Sequence, residues 1–241
     1  MTLYSHALAA SDSDYIGSET CAECHRAEYD SWQGSHHDLA MQPANPETVL
    51  GDFDKAEFVH FGVTSTFFYE QDKFLVRTDG ADGSLQNFEI SYTFGVHPLQ
   101  QYLIEMPGGR MQALSIAWDA RSQSVGGQRW FHLYPDERIP HDDVLHWTQP
   151  SQNWNNMCAE CHSTELQKNY DAAKRSFDTT WSEVNVACEA CHGPGADHQV
   201  WAKRGEGWQQ LEASRGLAVL LDERRGAHWK MDAGASIARR S

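Results

Sequence analysis

The chain has 241 residues, 19 basic and 34 acidic, for a formal net charge of −15, and 40% of it is hydrophobic. Such a surface repels nucleic acid and anionic membranes, and no apolar run is long enough to span a bilayer. The apolar fraction lies below that of an ordinary globular domain of this size, so something other than side chains is expected to supply part of the buried apolar surface.

Residues 1–17 form a polar N-terminal segment. It lacks the apolar stretch of about 7–15 residues that an export signal needs, yet Ala7-Leu8-Ala9 has the A-x-A form of a cleavage site and fits a signal-peptide remnant. Thr20-Cys21-Ala22-Glu23 reads as a capping box opening a helix to about Gln33, stopped by Gly34. The segment 18–51 carries the first C-x-x-C-H, Cys21, Cys24 and His25. Residues 52–133 change character. Phe88–Phe94 alternates apolar and polar, Thr64–Tyr69 and Phe74–Thr78 are aromatic and β-branched, and turn signals recur at Gln71-Asp72, Asp79-Gly80, Asp82-Gly83 and Gly108-Gly109. This predicts an antiparallel meander of four to six strands. Helices are expected to resume near 153, with a second capping box at Thr180-Trp181-Ser182-Glu183 and a further helix over about 196–211. The segment 134–241 carries Cys158, Cys161 and His162, then Cys188, Cys191 and His192. The expected fold is α+β, mainly helical, with an inserted antiparallel β subdomain.

All six cysteines lie in these three C-x-x-C-H motifs. C-x-x-C also serves zinc ribbons, redox sites and disulfides, and the 26 residues between Cys161 and Cys188 do not forbid zinc. The histidines decide: with 13 in the chain, three placed by chance directly after each second cysteine have odds of roughly one in several thousand. Haem c requires both, two thiols for thioether bonds to the porphyrin and the next histidine as axial ligand. Three covalently bound haem c groups (iron) follow, with His25, His162 and His192 as proximal ligands. Covalent haem attachment belongs outside the cytoplasm, so a periplasmic or extracellular location is expected, with redox proteins as partners.

Ten further histidines compete for the distal positions. His37 follows the Gly34 break and is favoured over His36; His198 follows the Gly193-Pro194-Gly195 turn. His146 and His132 sit among aromatics, and His60 lies in an expected strand. His97, His141, His228 and His6 read as ordinary residues, and Met41 as a packing residue rather than a ligand. With histidine abundant, bis-His low-spin haems are expected.

The run Cys21-x-x-Cys24-His25-x-x-x-Tyr29-x-x-Trp32-x-x-Ser35-x-His37-x-x-Ala40 and the run Cys188-x-x-Cys191-His192-Gly193-Pro194-Gly195-x-x-His198 resemble segments of the cytochrome c-554 family, a superfamily related to hydroxylamine oxidoreductase. Tyr92–Gly95, Pro98–Leu103, Trp130–Pro135 and Asn153–Cys158 are similar to the N-terminal haem region of large multihaem cytochromes that continue into tetratricopeptide repeats. The resemblance implies His37 and His198 as distal ligands and raises His60, His132 and His146. Such relatives carry a fourth C-x-x-C-H and continue further, so the chain is either a short trihaem version or part of a longer product. Three readings follow: an electron-transfer cytochrome, the leading one; a redox enzyme acting on small nitrogen compounds at one open-face haem, with His60, His97 or His141 as proton donors; and a subunit of a haem-bridged oligomer or filament, self-associating through a histidine such as His6, His36 or His228.

Overall fold

The computed structural model describes residues 14–220 and two short paired strands, Trp229–Lys230 and Arg239–Arg240. The Ala7-Leu8-Ala9 pattern, His6 and His228 lie outside the described residues. Two antiparallel sheets dominate, with 29% of the described residues in strands and 22% in helices. The expectation of a mainly helical protein is therefore corrected.

The chain divides into two compact units, Ala27–Ala187 and the residues up to Arg26 together with those from Cys188 onward. In the first, a four-stranded sheet runs in chain order through β2 (Asp54–His60), β3 (Val63–Glu70), β4 (Lys73–Asp79) and β5 (Leu85–Glu89). The second sheet joins β1 (Met41–Pro43), β6 (Tyr92–Phe94), β7 (Leu99–Met106), β9 (Ile116–Asp119) and β10 (Arg129–His132), with β8 (Arg110–Ala113) also paired to β7. The turns carry the chemistry read from the sequence. Gln71 and Asp72 both adopt positive φ between the paired Glu70 and Lys73, as a two-residue primed hairpin turn requires. Gly108 and Gly109, also at positive φ, close the β7–β8 hairpin. The β region is larger than the expected four to six strands: nine, β2 to β10, lie within 52–133, and Met41–Pro43, ahead of that boundary, pairs with β6.

Two apolar clusters fill this unit. In one, Trp130 stacks on Phe67 with centroids 3.6 Å apart, surrounded by Phe53, Tyr102 and Trp118. The other gathers Met41, Phe94, Leu103 and Met111 against Trp154 and Ala159. Met41 is fully buried there, in the packing role expected of it.

The helices are short, four to seven residues each: α1 (Ser18–Ala22), α2 (Arg26–Trp32), α3 (Trp154–Met157), α4 (Ala159–His162), α5 (Cys188–His192) and α6 (Ala196–Ala202). Three expectations fail here for local reasons. The Thr20 hydroxyl donates to the Ile16 carbonyl instead of capping; the helix begins earlier, after Gly17, and breaks at Glu23–His25. Thr180 and Glu183 pair in extended bridges with Gln167 and Thr164, so no helix starts there. The stretch 196–211 splits at Gly205–Gly207, where Gly207 has φ +83°, into α6 and a 3-10 turn over Trp208–Leu211.

Candidate haem-binding sites

In each C-x-x-C-H neither cysteine is in a disulfide, and the first is half-buried and the second exposed. The first motif spans the break between α1 and α2, the second the junction of α3 and α4, and the third fills α5.

The second motif is held on the β unit by a buried amide network. Asn153 caps α3, accepting from Asn156 N at 3.2 Å, and its amide donates to Gln112 Oε1 at 3.1 Å. Asn155 Oδ1 accepts from Met111 N at 2.8 Å. Gln112 donates to the carbonyls of Trp147 and Gln149 at 2.8 and 2.9 Å. These side chains replace backbone pairing that a four-residue helix cannot supply. Behind this motif, His162 Nδ1 lies 3.1 Å from the Ala40 carbonyl; with the proton on Nδ1, that bond leaves Nε2 free for a metal. Burial pushes the Cys158 thiol up, with Cys161 adding to the effect.

In the other unit His198 faces His25, with ring centroids 6.0 Å apart and planes 25° apart. An imidazole nitrogen binds a first-row metal at about 2.0–2.1 Å and lies about 1.1 Å from its ring centre, so two trans imidazoles place their centroids about 6.2–6.4 Å apart. A separation of this size would suit one iron held between the two rings. His198 Nδ1 lies 2.8 Å from the Arg215 carbonyl, which again commits one nitrogen and leaves Nε2. Close packing fixes that carbonyl: a Cβ on Gly216, at φ +69°, would meet the Asp197 carbonyl and His198 N at 2.4–2.5 Å. Among the described residues this unit has no buried hydrophobic side chain; its buried side chains are Ser18 and Glu189. Its described residues offer thiols and an imidazole gap but no apolar core, which fits porphyrins as the apolar filling.

Residues 20–57 and 136–193 match the family described as "Cytochrome c554 and c-prime", and these two stretches contain all three motifs. The chain is a multihaem c-type cytochrome. Its cofactors are three covalently attached haem c groups. Among solved structures the cytochrome is similar in fold to "Outer Cell Wall Cytochrome OcwA", with 19% identity and a TM-score of 0.50 over 89% of this chain. It spans 37% of that chain's length. No curated protein sequence matches the cytochrome.

The other histidines of the cytochrome separate by what their nitrogens do. His146 is 3% exposed, and both its nitrogens are engaged, Nδ1 with Thr148 Oγ1 at 2.8 Å and Nε2 with Asp79 Oδ2 at 3.2 Å. Burial raises the Asp79 carboxyl, but the bond and charge of His146 outweigh that and hold it below its ordinary value. His60 and His132 stack on each other at 3.9 Å, 9° from parallel, too close to bracket an iron. With His146 and Asp79 they line a cavity of about 190 Å³. His37 is exposed, its carbonyl accepting from Val186 N.

Sequence reasoning missed two features. His97, read as ordinary, lies 6.3 Å from His36, with ring planes 32° apart. Neither belongs to a C-x-x-C-H, so spacing alone does not make an axial pair; His25 differs because two thiols precede it. Glu189, an interior residue of the third motif, is buried and hydrogen-bonded to three backbone N–H groups. Nothing in the sequence marks it, because the motif fixes only the cysteines and the histidine. Among the described residues no helix is long and apolar enough to cross a membrane, and no three His, Cys, Asp or Glu side chains cluster to hold a free metal ion.

Proposed function

We propose that this cytochrome is a trihaem electron carrier acting in the periplasm or outside the cell, in which His25 and His198 are the two axial ligands of the first haem. When bound, the haems supply one-electron redox chemistry; the chain's residues set ligation, burial and spacing. The observation that carries the reading is the 6.0 Å separation of His25 and His198, together with the Arg215 carbonyl that leaves His198 Nε2 available. Two strong imidazole ligands close both faces of that iron, as suits a carrier rather than a substrate site.

For the remaining irons, exposed His37 is the best distal candidate. His146 is spent on Asp79 and Thr148, and the stacked His60 and His132 are read as part of the β unit. Residues 52–133 are read as a β insertion between the first haem segment, 18–51, and the segment 134–241 that carries the other two; the position of strands β2 to β10 between 54 and 132 supports this division. Location outside the cytoplasm is supported by covalent haem attachment and by the outer-cell-wall description of the similar structure. The net charge of −15 suits basic redox partners.

Low-temperature EPR of the oxidised holoprotein, scaled to haem content, tests the reading. All iron is expected to be low-spin, and His198→Ala is expected to convert one haem equivalent to high-spin while His97→Ala converts none. A low-spin spectrum unchanged by His198→Ala removes the assignment. High-spin iron amounting to about a third of the total in the unaltered protein opens one haem face and overturns the carrier.

A further inference from the structure

We infer that Glu189, inside the third C-x-x-C-H, is the positioning residue that sets the His25–His198 gap at the first haem. This rests on the axial assignment of those two histidines. Glu189 is 3% exposed. Its carboxylate accepts from Gly17 N at 2.8 Å, from Gly195 N at 2.7 Å, and from Ile16 N at 3.0 and 3.1 Å through both oxygens. A carboxylate this deeply buried persists only where donors replace its lost hydration, and ionised acceptors make the stronger hydrogen bonds.

What those three donors belong to gives the contact its meaning. Ile16 and Gly17 lead directly into α1, of which Gly17 is the N-cap, and α1 delivers Cys21 and, just past its end, His25. Gly195 is the N-cap of α6, and His198 is the third residue of that helix. One side chain on α5 therefore grips the starts of both segments that carry the facing imidazoles. The fit is close: a Cβ on Gly195 would lie 3.0 Å from Glu189 Oε1 and 3.0 Å from Ile16. The Arg215 carbonyl orients the His198 ring, whereas Glu189 places the backbone beneath it. The two constraints act on different degrees of freedom, so loss of Glu189 is expected to loosen the gap without removing either histidine.

The test uses the haem-loaded protein. Glu189→Gln keeps the size but turns an amide N–H toward backbone donors. Gly195→Ala presses a methyl on the same contact from outside the attachment motif, and so still reports if the Gln variant attaches less haem. Haem content by pyridine haemochrome, the EPR spectrum, and the rate at which carbon monoxide binds the reduced protein are measured together. Glu189→Gln is expected to raise the carbon monoxide rate at one haem at least tenfold and to broaden one low-spin signal, with Gly195→Ala shifting both the same way by less. Trp130→Ala, which disturbs the core of the β unit away from the three attachment motifs, serves as the control and is expected to leave both unchanged. Normal haem content with an unaltered carbon monoxide rate and spectrum in both variants would overturn the inference. If His198→Ala itself leaves the iron low-spin, the axial assignment fails instead, so the two failures are told apart.

Discussion

The two units of this cytochrome are stabilised by different means. Ala27–Ala187 holds two clusters of buried aromatic and aliphatic side chains and two hydrogen-bonded sheets. The unit containing α1, α5 and α6 buries no hydrophobic side chain among its described residues and relies on polar contacts, chiefly the Glu189 carboxylate on backbone N–H groups and the Arg215 carbonyl on His198. Isolated helices of five to seven residues are unstable in water. The difference teaches that the first unit carries an apolar core of its own side chains, whereas the described residues of the second do not, and porphyrins would supply one.

The largest effect should come from removing haem. When the protein is made without haem attachment, residues 188–220 are expected to become protease-sensitive while 27–187 persist as a resistant fragment with near-ultraviolet dichroism from its packed tryptophans. Equal resistance of both units without haem would erase the contrast. A smaller effect tests the other side. Trp130→Ala removes the ring stacked at 3.6 Å on Phe67 and the bond from its Nε1 to the Asp52 carbonyl. It is expected to cost the β unit about 3–5 kcal/mol in denaturant unfolding, with the EPR signal of the first haem unchanged. A shifted haem signal would mean that the two units share a stability rather than owning one each.

How far the sequence foretold this follows the same contrast. The attachment sites were legible because covalent chemistry demands two thiols and a histidine at one fixed spacing. Hairpin turns were legible because Gln71-Asp72 and Gly108-Gly109 tolerate positive φ where most residues do not. Helix extent was not, since Thr20 and Thr180 carry capping signatures but spend their hydrogen bonds elsewhere. In a haem-filled unit the helices are also freed from the apolar periodicity that normally reveals them. The histidines show the limit most clearly. His198 was singled out for its place after a Gly-Pro-Gly turn, but that it faces His25, or that His36 faces His97, depends on tertiary placement that no local pattern encodes.

The smallest predicted effect lies within the β unit and depends on pH. His132 is pushed down to about 4, first by burial and then by the adjacent His60, from an ordinary value of 6.5. Between those values the unfolded chain binds a proton at this site and the folded chain does not. By linkage, stability then rises with pH across the window: as pH falls from 6.5 toward about 4 this contribution is lost, and below about 4 the site adds no further slope. Asp79 acts in a separate window. Its carboxyl is held below the ordinary 3.8 by His146 against the opposing effect of burial, so its stabilisation is present above 3.8 and lost as pH falls below it. Urea unfolding of the β unit followed by tryptophan fluorescence from pH 7 to about 3 should show the upper slope, and His132→Gln should flatten it while sparing the loss below 3.8. A slope that survives His132→Gln would assign the upper window to another group, and the stacked imidazoles would then count as packing alone.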